Sequence, residues 1–273
     1  MTRWYLRLHP LVILVLAIVT TLFLPRIAKK GMFGDGLLYA SMARNMSEGL
    51  GTFWAPYFSS SYWLEGIQDI YYENTPLMLW VQSLLFSIVG DHWWVEKLFC
   101  LLILMVNLYL IRFLWQTIFQ TDLVLQQYWF LPVFCWYMVP VVVWGNVNNL
   151  MDNMLVTFCL LSVALIFKAT HTVGKLRLFF LLLSALSIFG GILTKGPVAL
   201  YPIALPFLYS LVAKDYTFKK MIGDSMVICL CTTLVFLGLL ILNNDALLFF
   251  EQYWNQRLKA VIVGGRDDMR LSG

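Results

Sequence analysis

The sequence predicts an all-α, polytopic membrane helix bundle, on three observations. Of 273 residues, 60% are hydrophobic and only 12% charged, where a soluble domain carries about 25% charged residues. The mean hydropathy is +0.76. The apolar residues also fall into eight runs, at 8–25, 77–90, 98–118, 128–145, 153–168, 177–193, 197–213 and 225–242. Most approach the roughly 20 residues that one bilayer crossing takes. Such a chain is neither disordered nor an ordinary water-soluble enzyme. A net charge of +4 is too mild to call for a polyanion, so no nucleic-acid partner is expected. The five cysteines (Cys100, Cys135, Cys159, Cys229 and Cys231) all sit inside apolar runs, where thiols act as small hydrophobes and not as a disulfide framework.

The first run follows Arg3 and Arg7 and has the look of a signal-peptide core. Pro25-Arg26-Ile27-Ala28-Lys29-Lys30 comes after it in place of a small-residue cleavage site, so it reads as a retained span. Next comes a long polar-aromatic insertion, 26–75, and then the run 77–90, opened by Pro76 and only 14 residues long. Charge parity decides what that run does. Positive clusters at Lys168/Lys175/Arg177, at Lys214/Lys219/Lys220 and at Arg3/Arg7 belong on the cytoplasmic side. Eight crossings would put the first of these outside, so one earlier run must fail to cross. The short run 77–90 is that one. About seven transmembrane helices remain, and 26–97, 146–152, 194–196 and 243–273 share the non-cytoplasmic face. The domain reading is a transmembrane module over 1–242, with juxtamembrane helices in the outer loop 26–97. Residues 243–273 then begin a further non-cytoplasmic loop, and the chain reads as truncated.

Carboxylates at a membrane face are functional candidates by default. Asp35 precedes a helix-like run, 36–46, and Asp152 opens the run 153–168; each is equally explained as a helix N-cap. Glu73 lies in Tyr71-Tyr72-Glu73-Asn74-Thr75-Pro76, just before the short run. Together the three acids are placed to deprotonate an acceptor or to hold a cation. Cations share their face: Lys195, either a site residue or a lysine snorkelling from a helix end, Arg44, and Arg257, Lys259, Arg266 and Arg270 in the tail. The stretch from Asn244 through Arg257 reads as an amphipathic interfacial helix with an Asn or Asp cap. Phe53, Trp54, Tyr57, Phe58, Tyr62 and Trp63 suit an aromatic headgroup belt, or a surface on which a sugar stacks. His9, His92 and His171 are scattered, and no phosphate-binding glycine loop, nucleophile elbow or metal-spaced cysteine pair is present. The common kinds of ATPase, serine hydrolase and zinc enzyme are thereby excluded.

Four motifs in order carry a resemblance: Asp35-Gly-Leu-Leu-Tyr39-Ala-Ser-Met-Ala-Arg44-Asn-Met, Glu73-Asn-Thr-Pro76-Leu-Met-Leu-Trp80 ending at Gly90, Asp152-Asn-Met-Leu, and Leu193-Thr-Lys195-Gly-Pro197. The chain resembles the polyprenyl-phosphate-sugar glycosyltransferases of the GT-C fold, in the branch of the lipid A aminoarabinose transferase and the protein O-mannosyltransferases. The resemblance implies a GT-C bundle with juxtamembrane helices in its first outer loop, in the bacterial inner membrane. Asp35 would be the essential first-loop acid, Glu73 the acid before the Pro-Leu run, Asp152 the second acidic site and Lys195 a cation near the lipid phosphate. A divalent metal, where one is used, would involve Glu73, although the histidine that partners it in the aminoarabinose branch has no counterpart in this tail. Relatives often read Glu-Lys-Pro-Pro where this chain has Glu73-Asn74-Thr75-Pro76, so a phosphate-contacting lysine is missing. Gly36 also stands where a second acid is common.

The function expected is transfer of a sugar from a polyprenyl-phosphate donor to a hydroxyl acceptor (lipid, protein or glycan). Asp35 would act as general base, and Lys195, Arg257 and Arg44 would face the donor phosphate. The alternatives are a lipid-linked-sugar flippase or transporter, and a non-catalytic remnant that binds donor lipid. On the parity argument, a Thr172→Cys variant stays unlabelled when intact cells are treated with an impermeant maleimide. Labelling from outside would reverse the assigned orientation.

Overall fold

The computed structural model describes residues 10–59, 69–213 and 216–263. Arg3, Arg7, His9, Tyr62, Trp63, Lys214, Arg266 and Arg270 lie outside the described residues.

Helix α1 (Pro10–Ile27) buries Val12, Val15, Val19 and Phe23, a stripe at helical spacing, and leaves Leu11, Ile13 and Leu14 exposed. In water such a surface would drive aggregation; in a bilayer it is the lipid face. Two short helices follow, α2 (Gly34–Ser47) and α3 (Leu77–Val89), with a two-residue hairpin between them, β1 (Gly51–Thr52) and β2 (Ala55–Pro56). Tyr39 and Met42 of α2 pack on Met78 and Leu79 of α3. At 13 residues α3 is about 20 Å long, well short of the roughly 30 Å hydrocarbon core.

Helix α4 (Val95–Ile118) leads to α5 (Leu123–Gln126), capped by Asp122, whose Oδ1 accepts from the N–H groups of Val124 and Leu125. The run expected as one span at 128–145 is instead two helices, α6 (Phe130–Tyr137) and α7 (Pro140–Val147), bent by 83°. Pro140 causes the break. It has no N–H to continue the ladder, and its ring pushes the preceding Val139 into extended backbone (ψ 118). Both limbs pack against α1 and α4, with Phe130, Val133, Val143 and Val147 in one apolar cluster.

Helices α8 (Met151–Thr170) and α9 (Gly174–Lys195) pack along their lengths through small residues. The Ser162 and Ser184 hydroxyls share a buried hydrogen bond of 2.8 Å, and Gly190 leaves no room for a Cβ beside Phe158. Close packing and polar contacts of this kind hold helices together where lipid offers no hydrophobic drive.

Five stretches are long and apolar enough to cross a membrane, and a sixth if α6–α7 counts as one. One of the five, Gly174–Val212, runs for 39 residues, about twice a crossing. It divides at Lys195–Gly196, where Gly196 takes φ 71. A 3-10 segment (Gly196–Ala204) and α10 (Leu205–Val212) then fold back along α9, with Ala199 against Gly191 and Tyr209 edge-on to Phe167 near the far end of α8. The returning limb is about 30 Å long by helical rise.

Helix α11 (Phe218–Leu242) is fastened at its start by a buried cluster. Arg177 donates from Nε and Nη2 to Asp224 Oδ1 at 3.1 and 2.7 Å, and Tyr216 donates to Oδ2. Burial pushes the Tyr216 hydroxyl pKa up, and the Asp224 carboxylate adds to the shift. The chain continues as α12 (Asn244–Tyr253), a π-helical turn (Trp254–Leu258) and α13 (Lys259–Val263).

Asp224→Ala leaves the Arg177 guanidinium without its partner in a largely buried setting and destabilises the protein by about 3 kcal/mol. Tyr216→Phe, which removes one hydrogen bond, costs about 1 kcal/mol. Reversible unfolding in mixed micelles measures both, and equal effects would remove the charge pair from its assigned role.

Candidate active site around Tyr39

The four motif segments meet at the end of the bundle where α8 begins. The loop before α8 grips the first turn of α2. Asn148 Oδ1 accepts the Phe33 N–H at 2.8 Å, and the Asn149 amide donates to the Gly36 carbonyl at 3.1 Å. Gly36 itself sits against the Asn148 carbonyl, where a Cβ would collide. Glycine at 36, in place of the acid common in the resembled family, is thus what lets loop and helix close. Asn149 holds φ 52, alone among described non-glycine residues with positive φ, and exchanges hydrogen bonds with Gln82 of α3. Asn tolerates that conformation better than most residues. Asp35, one residue before Gly36, and Asp152, three after Asn149, are therefore set relative to each other by this clamp.

Neither aspartate is a cap. Helix α2 begins at Gly34 with Phe33 as N-cap, and α8 begins at Met151 with Leu150 as N-cap; neither cap makes a side-chain bond. Both carboxylates sit in the first turn, favourably placed in the helix dipole. Asp152 pairs with Lys195, whose Nζ lies 2.5 Å from its carboxylate oxygens. Asp35 is exposed and has no hydrogen-bond or ion-pair partner among the described residues.

Thr75 ties the second motif to the fourth, its hydroxyl donating to the Ile192 carbonyl at 2.9 Å. Glu73 faces Arg257 at 3.7 Å. Arg257 comes from the π-helical turn, and the helix leading to it is capped by Asn243, one residue before the expected cap. Insertions of π geometry re-phase a helix and recur at functional sites.

Tyr39, one turn after Asp35, lies at the centre of these groups. Its hydroxyl is pushed up to about 12 by burial first, then by the charges of Asp35 and Asp152, while Arg257 pulls the other way. The Asn74 amide donates to the Tyr71 hydroxyl at 2.7 Å and reaches the Tyr39 hydroxyl at 3.4 Å. Burial raises the Tyr71 pKa too, with Tyr39 and Glu73 contributing. Both phenols stay protonated at neutral pH and are hydrogen-bond donors there.

Arg44 is not brought to this group. It lies at the other end of α2, roughly 13 Å along the helix from Asp35, pairs with Asp91 at 2.5 Å and covers the Phe86 ring. Of the aromatic stretch, Phe53 and Trp54 pack into a cluster with Trp80, Phe249 and Phe250 that joins the hairpin to α12. Among the described residues, no three His, Cys, Asp or Glu side chains gather closely enough to hold a metal ion, and Glu73 faces a guanidinium.

No protein-family model and no curated protein matches the sequence. Among solved structures it is similar to ArnT from Cupriavidus metallidurans. Against the crystal structure bound to undecaprenyl phosphate, the TM-score is 0.64 at 18% identity, over 91% of this chain and 45% of that one. Against the apo state it is 0.60 at 18%, over 94% and 48%. At this identity the likeness is one of fold, a polytopic helical membrane bundle of the GT-C type. The chain spans about half the length of ArnT.

Asn149→Ala removes the clamp's hydrogen bonds and puts in the left-handed region a residue that tolerates it less well than Asn, costing about 2–3 kcal/mol of stability. Asn149→Gly loses the same bonds but not the backbone fit and recovers about 1 kcal/mol of that. Micelle unfolding of the two variants checks the difference, and identical losses would mean the positive φ is not held.

Proposed function

We propose that this chain is an integral-membrane glycosyltransferase. It would take a sugar from a polyprenyl-phosphate donor to a hydroxyl on a lipid, protein or glycan, at the non-cytoplasmic face of a bacterial inner membrane. One observation carries this: Asp35, Asp152 and Arg257 all act on the Tyr39 hydroxyl, Lys195 is paired to Asp152, and the two cations are sequence neighbours of residues that line a large apolar cavity. The cavity, about 760 Å³, lies between the 3-10 segment, α11 and α12, with Gly196, Leu200, Phe236, Leu240 and Leu258 among its walls. Lys195 and Arg257 immediately precede two of those residues. An isoprenoid chain suits such walls, and its phosphate suits the two cations. The solved ArnT structure with undecaprenyl phosphate supports a lipid-phosphate ligand for this fold.

In the proposed reaction Asp35 accepts the proton of the acceptor hydroxyl. The acceptor oxygen bonds to the anomeric carbon from the face opposite the phosphate, the carbon–oxygen bond to the phosphate breaks, and configuration inverts. Polyprenyl phosphate leaves with its charge met by Lys195 and Arg257, an electrostatic role that usually dominates such steps. Asp152 holds Lys195 in place. The Glu73–Arg257 contact is half-exposed and long, worth under about 1 kcal/mol, so an incoming phosphate redirects Arg257 at little cost. Tyr39, protonated, donates a hydrogen bond beside the base. The donor carries its own activation, so no nucleotide site is needed.

A second reading, donor binding without transfer, draws on Asn74. Where the resembled family often has lysine, this side chain is a buried amide held by two tyrosines. A transporter draws less support. The α6–α7 bend is the kind of broken helix transporters use, but no charged residue lies within those helices.

With purified protein and a radiolabelled polyprenyl-phosphate sugar, Asp35→Asn lowers transfer by about 10²–10⁴-fold while donor binding persists. Undiminished transfer by that variant would reject Asp35 as base. Donor retained by the wild-type protein with no transfer to any acceptor would select the second reading.

A further inference from the structure

A second cavity, about 590 Å³, opens between α1 and α7 and belongs to none of the groups above. Leu22 and Arg26 from α1, and Lys29 and Lys30 from the turn after it, line one side; Val143 and Trp144 of α7 line the other. The ion pairs of the described residues are Arg44–Asp91, Arg177–Asp224, Lys195–Asp152 and Arg257–Glu73. None of the three cations takes part; Lys30 rests near the Trp93 ring at 5.7 Å.

The turn that presents them is built rather than loose. The Lys97 ammonium, on a residue 5% exposed, donates to the Gly31 carbonyl at 2.6 Å. Gly31 takes φ 81, which favours glycine. Phe33 is held by Asn148 and meets Trp144 edge-on at 5.0 Å. Three like charges are thus kept around one space. In the orientation given by the cytoplasmic clusters, they also lie on the side where the positive-inside bias works against them. Both costs fall away when an anion occupies the cavity.

The level and the walls say what kind of anion. Arg26 lies in the last turn of an 18-residue apolar helix and the two lysines follow it, so the cations stand at headgroup height, with exposed Leu24 and Val141 on the flanking helices. We propose that the α1–α7 cavity binds the phosphate head of an anionic membrane lipid, with its acyl chains along α1 and α7. This site is separate from the donor cavity and does not depend on sugar transfer.

The test uses the purified full chain in neutral detergent, titrated with phosphatidylglycerol or phosphatidylcholine and read by native mass spectrometry. Phosphatidylglycerol binds at least about fivefold more tightly, the effect expected for one lysine or arginine meeting an anionic headgroup. R26Q/K29Q/K30Q loses that preference, while K29R/K30R keeps it. If the triple variant fails to fold, K29Q, altering one exposed side chain, shows a smaller loss in the same direction. Equal binding of the two lipids, or a preference untouched by neutralising the cations, overturns the proposal. Displacement of the lipid by millimolar inorganic phosphate overturns the lipid assignment in favour of a free anion.

Discussion

An ion taken into hydrocarbon without a partner costs several kcal/mol, and this constraint arranges the molecule. The 12% of residues that are charged gather mostly at helix ends and in the segments between them, and several of those drawn inward are matched, though the buried Glu96 leaves Oε2 without a hydrogen-bond partner. At one end Arg177 and Asp224 meet with Tyr216 completing the carboxylate's contacts; at the other, Lys195 spans from α9 to Asp152 of α8. Lys97, inside the first turn of α4, turns back to the Gly31 carbonyl. Each such contact ties an apolar rod to its neighbour at a fixed height, which dispersion forces between featureless aliphatic surfaces do not specify.

The same constraint explains what the sequence made legible. Long apolar runs have one use in a bilayer, so α1, α4, α8, α9 and α11 could be placed from composition alone. The shortness of 77–90 was enough to remove it from the crossings, and α3 is indeed too short to span. The breaks were harder to see. Pro140 and Gly196 each sit in uninterrupted apolar sequence, and hydropathy records polarity, not direction. Thus one expected span is two limbs at 83°, while the reversal at Gly196 follows from its left-handed backbone and from Gly191, which admits Ala199.

At the candidate site the charged residues were legible and their setting was not. Asp35, Glu73, Asp152, Lys195 and Arg257 stand out because charge is scarce. Arg44 stood out for the same reason, yet Asp91, 47 positions later, claims it; nothing local to the Arg44 motif announces that pairing. The cap readings of Asp35 and Asp152 failed by two positions, within the usual uncertainty of helix ends. Tyr39, Tyr71 and Asn74 were quoted as motif letters without a role, since an uncharged hydroxyl gains significance only when a fold buries it beside carboxylates. Asn148 and Asn149 left a fainter trace, an Asn pair just before an apolar run, of the sort that takes left-handed backbone.

Helix α11 is held unevenly along its length. Met221, Asp224, Ile228 and Thr232 are buried, but from 233 to 242 no residue is, until Asn243 caps the next helix. Mechanically it is a beam clamped over one half and touched within the other where Phe236 meets Phe250. A beam supported in this way bends most easily in its free half, and that half, through Thr233, Phe236 and Leu240, forms a wall of the larger cavity. One wall of the cavity is therefore the most loosely held part of the bundle, whereas Asp152 and Lys195 are set on the closely packed α8–α9 pair.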